Sequence, residues 1–207
     1  MPFYNVWVRA SASSSRRRAP QQERATLRRD SLLNAAGALF AEVGYGGATM
    51  TEIARRAGAS IGALYDYFPD KVSIARALAK KYTKEADRYW AELLRDSNYA
   101  AAGDLAQLLV ESILHFVRDR PGYAALLNAP IKYARSDSAR RPLRLLFTKA
   151  LRTIHPEMSM EQGLQSSRIV VELLKALLSV HDQVDQNERY NLTQRFKELL
   201  EFHISRH

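Results

Sequence analysis

One stretch of the sequence, TMTEIARRAGASIGALYDYFP, has the pattern of two short helices separated by a glycine turn. The capping-box pattern at its start, Thr49 with Glu52 three residues later, predicts a helix that runs through Ala57. Gly58 then supplies a turn, Ser60 is the N-cap of a second helix, and the proline ends that helix. Two helices of this length around a tight glycine turn have the spacing of a helix-turn-helix.

Helical periodicity continues on both sides of this stretch. Between Gln21 and Val43 the apolar residues recur at three- and four-residue spacing, and Gly44 is a C′ candidate that ends this first helix. The second short helix covers 61–68, and a long helix capped by Asp70 covers 71–96. Five more helices are predicted at 103–119, 122–133, 142–154 opened by Pro142, 160–184 capped by Ser159 with Gln162, and 188–204 capped by Asn187. No alternating strand pattern follows residue 10, so we expect an all-α protein of about nine helices.

The positive charge is concentrated at the N-terminal end. The net charge is +9 over 207 residues, and seven arginines within residues 1–29 face a single acid, Glu23. This bias favours a polyanionic partner, with nucleic acid ahead of an anionic membrane face or a merely solvated surface. Residues 1–20, rich in Ser and Arg, are expected to form a flexible basic arm. A transit peptide, a misassigned start codon and an expression remnant stay open as alternatives for this arm.

Composition removes several function classes. The chain has no cysteine, which excludes disulfide scaffolds, thiol nucleophiles and cysteine-based zinc sites. It has no apolar run long enough for a membrane span and no signal sequence at its start, so we expect a soluble, cytoplasmic protein with no membrane partner. No nucleophile elbow or paired-carboxylate pattern indicates an enzyme, and no cofactor is implied. One alternative is a helical metal-dependent hydrolase that uses His181, Asp182 and Asp185.

The second short helix has two distinct faces. Leu64 and Phe68 share the inward face, and Gly62 and Asp66 lie opposite. Ala63 and Tyr65 flank that outer face. Ile61 falls on the inward stripe, so core packing and base contact are equally open for it. The hydroxyls of Tyr65 and Tyr67 are suited to donate to phosphate, and Lys71 adds a positive charge at a helix N-terminus.

The block AGALFAEVGYGGATMTEIARRAGASIGALYDYFPDK resembles the N-terminal domain of TetR-family transcriptional regulators. The resemblance covers roughly residues 24–75, and the rest of the chain agrees with that family in helical content and length. It implies that Thr49, Tyr65, Tyr67 and Lys71 hold the DNA backbone, and that Ser60, Ile61, Gly62 and Ala63 lie at the groove end of the recognition helix, with Asp66 at its edge.

Two positions depart from the common family pattern: Ala59 stands where valine is usual, and Asp66 where an aromatic or basic residue is frequent. Asp66 either pairs with an arginine, accepts from a cytosine amino group, or points away. Arg24 and Arg28, one turn apart on the first helix, either add phosphate contacts or form a solvated face.

The resemblance also implies a domain plan, with a helix-turn-helix domain at 21–70 and a ligand-binding and dimerisation domain at 71–207. We expect a ligand-responsive repressor that binds a palindromic operator as a homodimer; a protein that binds DNA without sequence preference is the remaining alternative. Effector binding is expected to shift the fourth helix. The predicted ligand pocket comprises Tyr82, Tyr89, Trp90, Phe116, Tyr123, Tyr133 and Phe147. The predicted dimer interface comprises Val170, Leu173, Leu174, Leu177, Leu178, Leu192, Phe196, Leu199 and Leu200.

Overall fold

The computed structural model describes residues 15–129, 137–181 and 183–206, with side chains described outside 15–21, 128 and 137–139. All regular elements in these ranges are α-helices, which confirms the predicted all-α class. The first part of the predicted basic arm, Tyr133 and Asp182 lie outside the described residues. The helices are α1 Ser15–Gly47, α2 Met50–Arg56, α3 Ile61–Tyr67, α4 Lys71–Asp96, α5 Ala102–Arg118, α6 Gly122–Asn128, α7 Asp137–Ile154, α8 Met160–His181 and α9 Gln186–Ile204.

Several helix ends follow the side-chain caps that the sequence predicts. The Ser60 hydroxyl accepts from the Ala63 N–H at 3.1 Å. Asp70 and Ser73 cap α4 reciprocally. At α8 the Gln162 N–H donates to the Ser159 hydroxyl at 3.2 Å, and the Ser159 N–H donates to the Gln162 side chain at 2.9 Å. These caps satisfy backbone groups that a helix end leaves without partners.

Other ends differ from the prediction. Helix α1 begins at Ser15 rather than near Gln21, in a stretch that has no apolar periodicity to predict it. Helix α7 begins at Asp137, so Pro142 lies inside it and does not open it. Helix α8 ends at His181, before the predicted 184. Helix α9 is capped by Asp185, which accepts from two backbone N–H groups at 2.9 and 3.0 Å, and not by Asn187.

Two hydrophobic cores divide the chain, and α4 belongs to both. The first core joins α1, α2, α3 and α6, and takes Ile74 and Leu78 from the first half of α4. The second core joins α5, α7, α8 and α9, and takes Ala86 and Trp90 from the second half of α4. Because interiors are densely packed, a displacement of α4 disturbs both cores.

The predicted dimer face is mostly part of the second core. Val170, Leu174, Leu177, Leu178 and Leu200 are buried within this one chain, and Leu173, Leu192 and Phe196 pack against the same core. Of the predicted set, Leu199 is the exposed member, with half of its surface accessible. The wide apolar faces of α8 and α9 pack mainly against α7 and α5. Among the described helices, none is both long and apolar enough to cross a membrane.

Candidate DNA-binding interface and ligand cavity

The turn between α2 and α3 is a tight glycine cap. Gly58 adopts φ +60°, a conformation that favours glycine. Its N–H donates to the Arg55 carbonyl at 3.2 Å, and the Ala59 N–H donates to the Ala54 carbonyl at 2.9 Å. This pair of bonds is a Schellman motif, which ends α2 and turns the chain directly into α3.

Helix α3 presents a small, nearly apolar face to solvent. Leu64 and Phe68 are buried in the first core, as predicted. Ile61 is 41% exposed, so it is not one of the buried core side chains, and Tyr65 is 51% exposed. Gly62 and Asp66 also lie on the exposed side. The described outer face therefore offers a backbone that another surface can approach closely.

Gly62 leaves open space in front of α3. A Cβ atom built at this position meets no heavy atom within 4 Å, and its φ lies outside the left-handed region. Gly62 is the second residue of α3, and a glycine within a helix costs up to about 0.5–1 kcal/mol relative to alanine. Folding of the single chain therefore gains nothing from glycine here. The open space in front of Gly62 leaves room for the close approach of another surface.

The hydroxyls at the helix starts are held in place by caps. Thr49 accepts from the Glu52 N–H at 3.2 Å, so the α2 N-cap is formed. The reciprocal hydrogen bond of the predicted capping box, from the Thr49 N–H to the Glu52 side chain, is not formed. The Glu52 carboxylate instead pairs with Arg55 and Arg56. The exposed Thr49 and Ser60 hydroxyls accept from backbone N–H groups, and each retains its own proton to donate.

Glu52 anchors a small ion-pair network. Arg55 contacts its carboxylate at 2.6 Å and Arg56 contacts it at 3.0 Å, while Arg56 also pairs with Glu42 of α1. Hydrogen bonds from Arg55 and Arg56 lower the pKa of the Glu52 carboxyl to about 2. The network ties α2 to α1 and leaves Arg55 strongly exposed on α2.

Lys71 makes contacts that the sequence does not reveal. Its ammonium donates to the carbonyls of Tyr45, Gly46 and Ala48 at 2.8, 3.1 and 2.7 Å, and it lies 4.7 Å from the centroid of the Tyr45 ring. These carbonyls follow the break at Gly44, where φ is +70°. All three ammonium protons are thus used within the chain. The ammonium is therefore not left over for the predicted phosphate contact, and the donor that Lys71 retains is its backbone N–H in the first turn of α4.

The other predicted contact residues differ in exposure. Tyr67 is half-buried and packs against the first core, unlike Tyr65. Ala63 is also half-buried. Asp66 is exposed and has no ion-pair partner among the described residues, which leaves cytosine contact and outward orientation as its alternatives. Arg24 and Arg28 are exposed on α1.

A cavity of about 70 Å³ lies where α4, α6, α7 and α8 meet. Of the predicted pocket residues, Tyr82 and Tyr123 line it. Trp90, Tyr123 and Phe147 line an adjoining cavity of about 30 Å³. Tyr89 and Phe116 line neither; they pack beside Tyr123 and Trp90 in the second core. Burial raises the pKa of both Tyr82 and Tyr123 to about 12.

Three charged residues in this cavity are absent from the sequence-based set: Asp87, Arg140 and Lys175. Arg140 and Lys175 contact the same carboxylate, Glu172, at 3.1 and 2.5 Å. The sequence could have indicated Asp87, because it lies four residues after Thr83 and so shares that side of α4. Arg140 and Lys175 reach the cavity from other helices, which no local pattern specifies.

The residues of the metal hypothesis do not gather into a site in the described part of the chain. No group of three histidine or carboxylate side chains suitable for a metal occurs there. Asp185 caps the N-terminus of α9. Asp182 lies outside the described residues.

Comparison with known proteins gives a consistent set of relatives. Residues 32–78 match the profile of bacterial regulatory proteins of the tetR family. The chain is 35% identical over 88 residues to the HTH-type transcriptional regulator BetI of Cronobacter sakazakii, a match that covers 42% of this chain and 40% of that regulator. The chain thus aligns with less than half the length of this curated relative.

Two solved structures show the same fold over most of the chain. A TetR-family transcriptional regulator from Streptomyces coelicolor superposes with a TM-score of 0.67 at 22% identity, covering 86% of this chain and 98% of that one. The transcriptional regulator FadR from Bacillus subtilis, in complex with stearoyl-CoA, superposes with a TM-score of 0.65 at 16% identity, covering 84% and 97%. At these identities the likeness establishes the fold.

Proposed function

Since the chain belongs to the TetR family of transcriptional regulators, we propose that it is a ligand-responsive repressor which binds a palindromic operator as a homodimer. A small molecule in the cavity releases it from the operator. The family consists of regulators and not enzymes, so the hydrolase hypothesis is dropped. We place its action in the cytoplasm, where bacterial DNA is accessible to it.

The exposed face of α3 is the observation that carries this proposal. The exposed face of α3 has few polar side chains, and Gly62 leaves space in front of its backbone. Such a helix is suited to lie close to the bases in the major groove. Tyr65 stands beside that face, with its hydroxyl available for phosphate. Ile61 and Ala63 offer methyl groups, which favours thymine contact and DNA shape over hydrogen-bond readout.

A shift of α4 is the proposed link between ligand and DNA. The helix carries Tyr82 and Asp87 in the cavity, and Lys71 at its start holds the carbonyls after α1. Helix α6 provides a second connection, because Gly122 packs directly on the backbone of Gly37 in α1. The likeness to FadR supports a small-molecule ligand, because that regulator was solved in complex with stearoyl-CoA.

The homodimer is proposed to form through the exposed apolar side chains of α8 and α9. Ile169 on α8 and Leu199 and Phe202 on α9 are each close to half exposed or more. Leu199 and Phe202 are three residues apart and so share one side of α9. These residues replace most of the interface predicted from sequence, whose other members lie in or against the core. A two-fold pairing there would set two α3 helices side by side on a palindrome.

Phe202→Glu tests the dimer directly. We expect it to give monomers in sedimentation velocity, because it places a carboxylate in an apolar contact. Tyr190→Glu is the matched control, since Tyr190 is also exposed on α9 but lies about 120° around the helix from Phe202. If both variants sediment like the wild type, the dimer does not use this face.

The DNA target is identified by recovering genomic fragments bound to the purified protein and sequencing them. The proposal expects one enriched motif with two-fold symmetry. Recovery of fragments without a shared motif would favour binding without sequence preference. The genes beside an enriched motif then provide candidate effectors.

A further inference from the structure

One polar atom in the cavity has no partner in the described structure. The Oδ1 atom of Asp87 is buried and receives no hydrogen bond from any described residue. A buried carboxylate oxygen without a donor is costly, so such atoms are rare unless a ligand or ion completes them. Burial also raises the pKa of Asp87.

Most of the cavity lining beside Asp87 is apolar or aromatic. The rings of Tyr82 and Tyr123 meet edge to face at 5.9 Å between centroids. Leu126, Leu143 and Val171 complete much of the lining. Aromatic rings attract cations through the negative charge of their faces, and they shield a bound group from water.

The cations of the cavity do not satisfy Asp87. Arg140 and Lys175 both contact the carboxylate of Glu172, and neither donates to the Oδ1 atom of Asp87. Desolvation is the one resolved influence on the pKa of Asp87, and it acts in the direction opposite to a nearby cation. The unmet requirement of this site is therefore a donor beside Asp87, and not an acceptor beside Arg140 or Lys175.

We propose that the cavity selects a small, mainly apolar ligand with one protonated amine, which donates to Asp87 between the rings of Tyr82 and Tyr123. This assignment rests on the proposed effector role of the cavity and specifies its ligand class. The cavity of about 70 Å³ is smaller than the several hundred Å³ typical of ligand pockets. An apolar cavity of about 150 Å³ is what holds benzene, so even a single-ring amine has to spread α4 from α7 and α8 as it enters. In the proposal this displacement releases the DNA.

The test uses benzylamine, benzyl alcohol and benzoate, which have similar size and different charge. Calorimetry at neutral pH on the full chain measures their affinities. A charge-assisted hydrogen bond is worth about 1.5–3 kcal/mol, so benzylamine is expected to bind roughly ten- to a hundredfold more tightly than benzyl alcohol. Asp87→Asn keeps the shape and removes the charge, and it is expected to abolish most of that preference.

Asp96→Asn is the control, because Asp96 lies on the same helix but is exposed and paired with Arg95. It is expected to bind all three compounds as the wild type does. The proposal is overturned if benzoate binds as tightly as benzylamine, if benzylamine does not bind, or if Asp87→Asn keeps the preference. Circular dichroism of Asp87→Asn verifies that the variant is folded.

A separate readout distinguishes this proposal from the proposed function. The same proteins are titrated onto the recovered genomic DNA with and without benzylamine. Release by some other compound, with no amine preference in calorimetry, contradicts the ligand class and leaves the repressor function intact. If benzylamine binds in calorimetry but does not change DNA binding in the titration, the effector role is contradicted and the amine site stands.

Discussion

Replacing Gly62 by alanine and by glutamine separates DNA reading from folding. Neither side chain meets the rest of the chain near its Cβ, because no heavy atom lies within 4 Å of that position. Alanine removes the cost of a helical glycine, so it should raise the free energy of unfolding by up to about 0.5–1 kcal/mol. For a chain of this size that corresponds to a melting temperature higher by roughly 1–4 °C.

The effect on DNA binding should have the opposite sign. If α3 lies in the groove with its backbone close to the bases, the added side chain occupies the space that the DNA requires. Glutamine should weaken operator binding by at least about tenfold, or roughly 1.4 kcal/mol, and alanine by less. Opposite changes in stability and affinity exclude misfolding as the cause.

Fluorescence anisotropy on the recovered operator measures affinity, and thermal unfolding measures stability. Gly46→Ala is the matched control, since its added Cβ also enters open space but lies outside α3. Operator affinity that stays at the wild-type value for Gly62→Gln would refute the placement of α3 against DNA.

Three further predictions concern the same domain. Tyr65→Phe should weaken binding to the operator and to random duplex by a similar factor at fixed salt, since a phosphate contact carries no sequence information. The expected loss of binding free energy is about 1 kcal/mol in each titration. Lys71→Met should lower the free energy of unfolding by about 2 kcal/mol in denaturant titrations, because it removes charge-assisted bonds to three carbonyls. The pKa of Glu52 is depressed in the fold, so its contribution is complete above the ordinary value of 4.5 and is lost as the pH falls towards about 2. Glu52→Gln should therefore flatten the acid side of a stability profile.

The N-terminal domain could be predicted from sequence because its signals are local. Ser60 and Asp70 cap the helices that follow them, and Gly58 has the positive φ that the turn requires. Each of these signals acts within four residues, where sequence spacing fixes spatial distance. The predicted starts of α1 and α7 were wrong because both helices begin before their apolar periodicity does, and α7 continues through Pro142, which the sequence had indicated as its first turn.

The role of Lys71 could not be predicted, because it depends on a contact between residues more than twenty positions apart. The same limit applies to the dimer face. Periodicity shows that α8 and α9 have apolar sides, and it does not show whether Leu177 or Leu200 packs within the chain or against a partner. That depends on tertiary packing, and in the structure both side chains lie in the second core.

The cavity illustrates a third limit. The aromatic residues of α4 and α6 in the sequence led to two of its lining residues, Tyr82 and Tyr123. The charges that distinguish one ligand from another come from α4, α7 and α8 together, and Asp87 is notable for a missing partner that only a structure reveals.

The most direct test of a sequence-specific regulator is competition between the recovered operator and random duplex at one salt concentration. The proposed function predicts that the operator binds at least about a thousandfold more tightly, and that Gly62→Gln lowers this ratio while random-duplex binding changes little. Near-equal affinity of the wild-type protein for the two duplexes would contradict it.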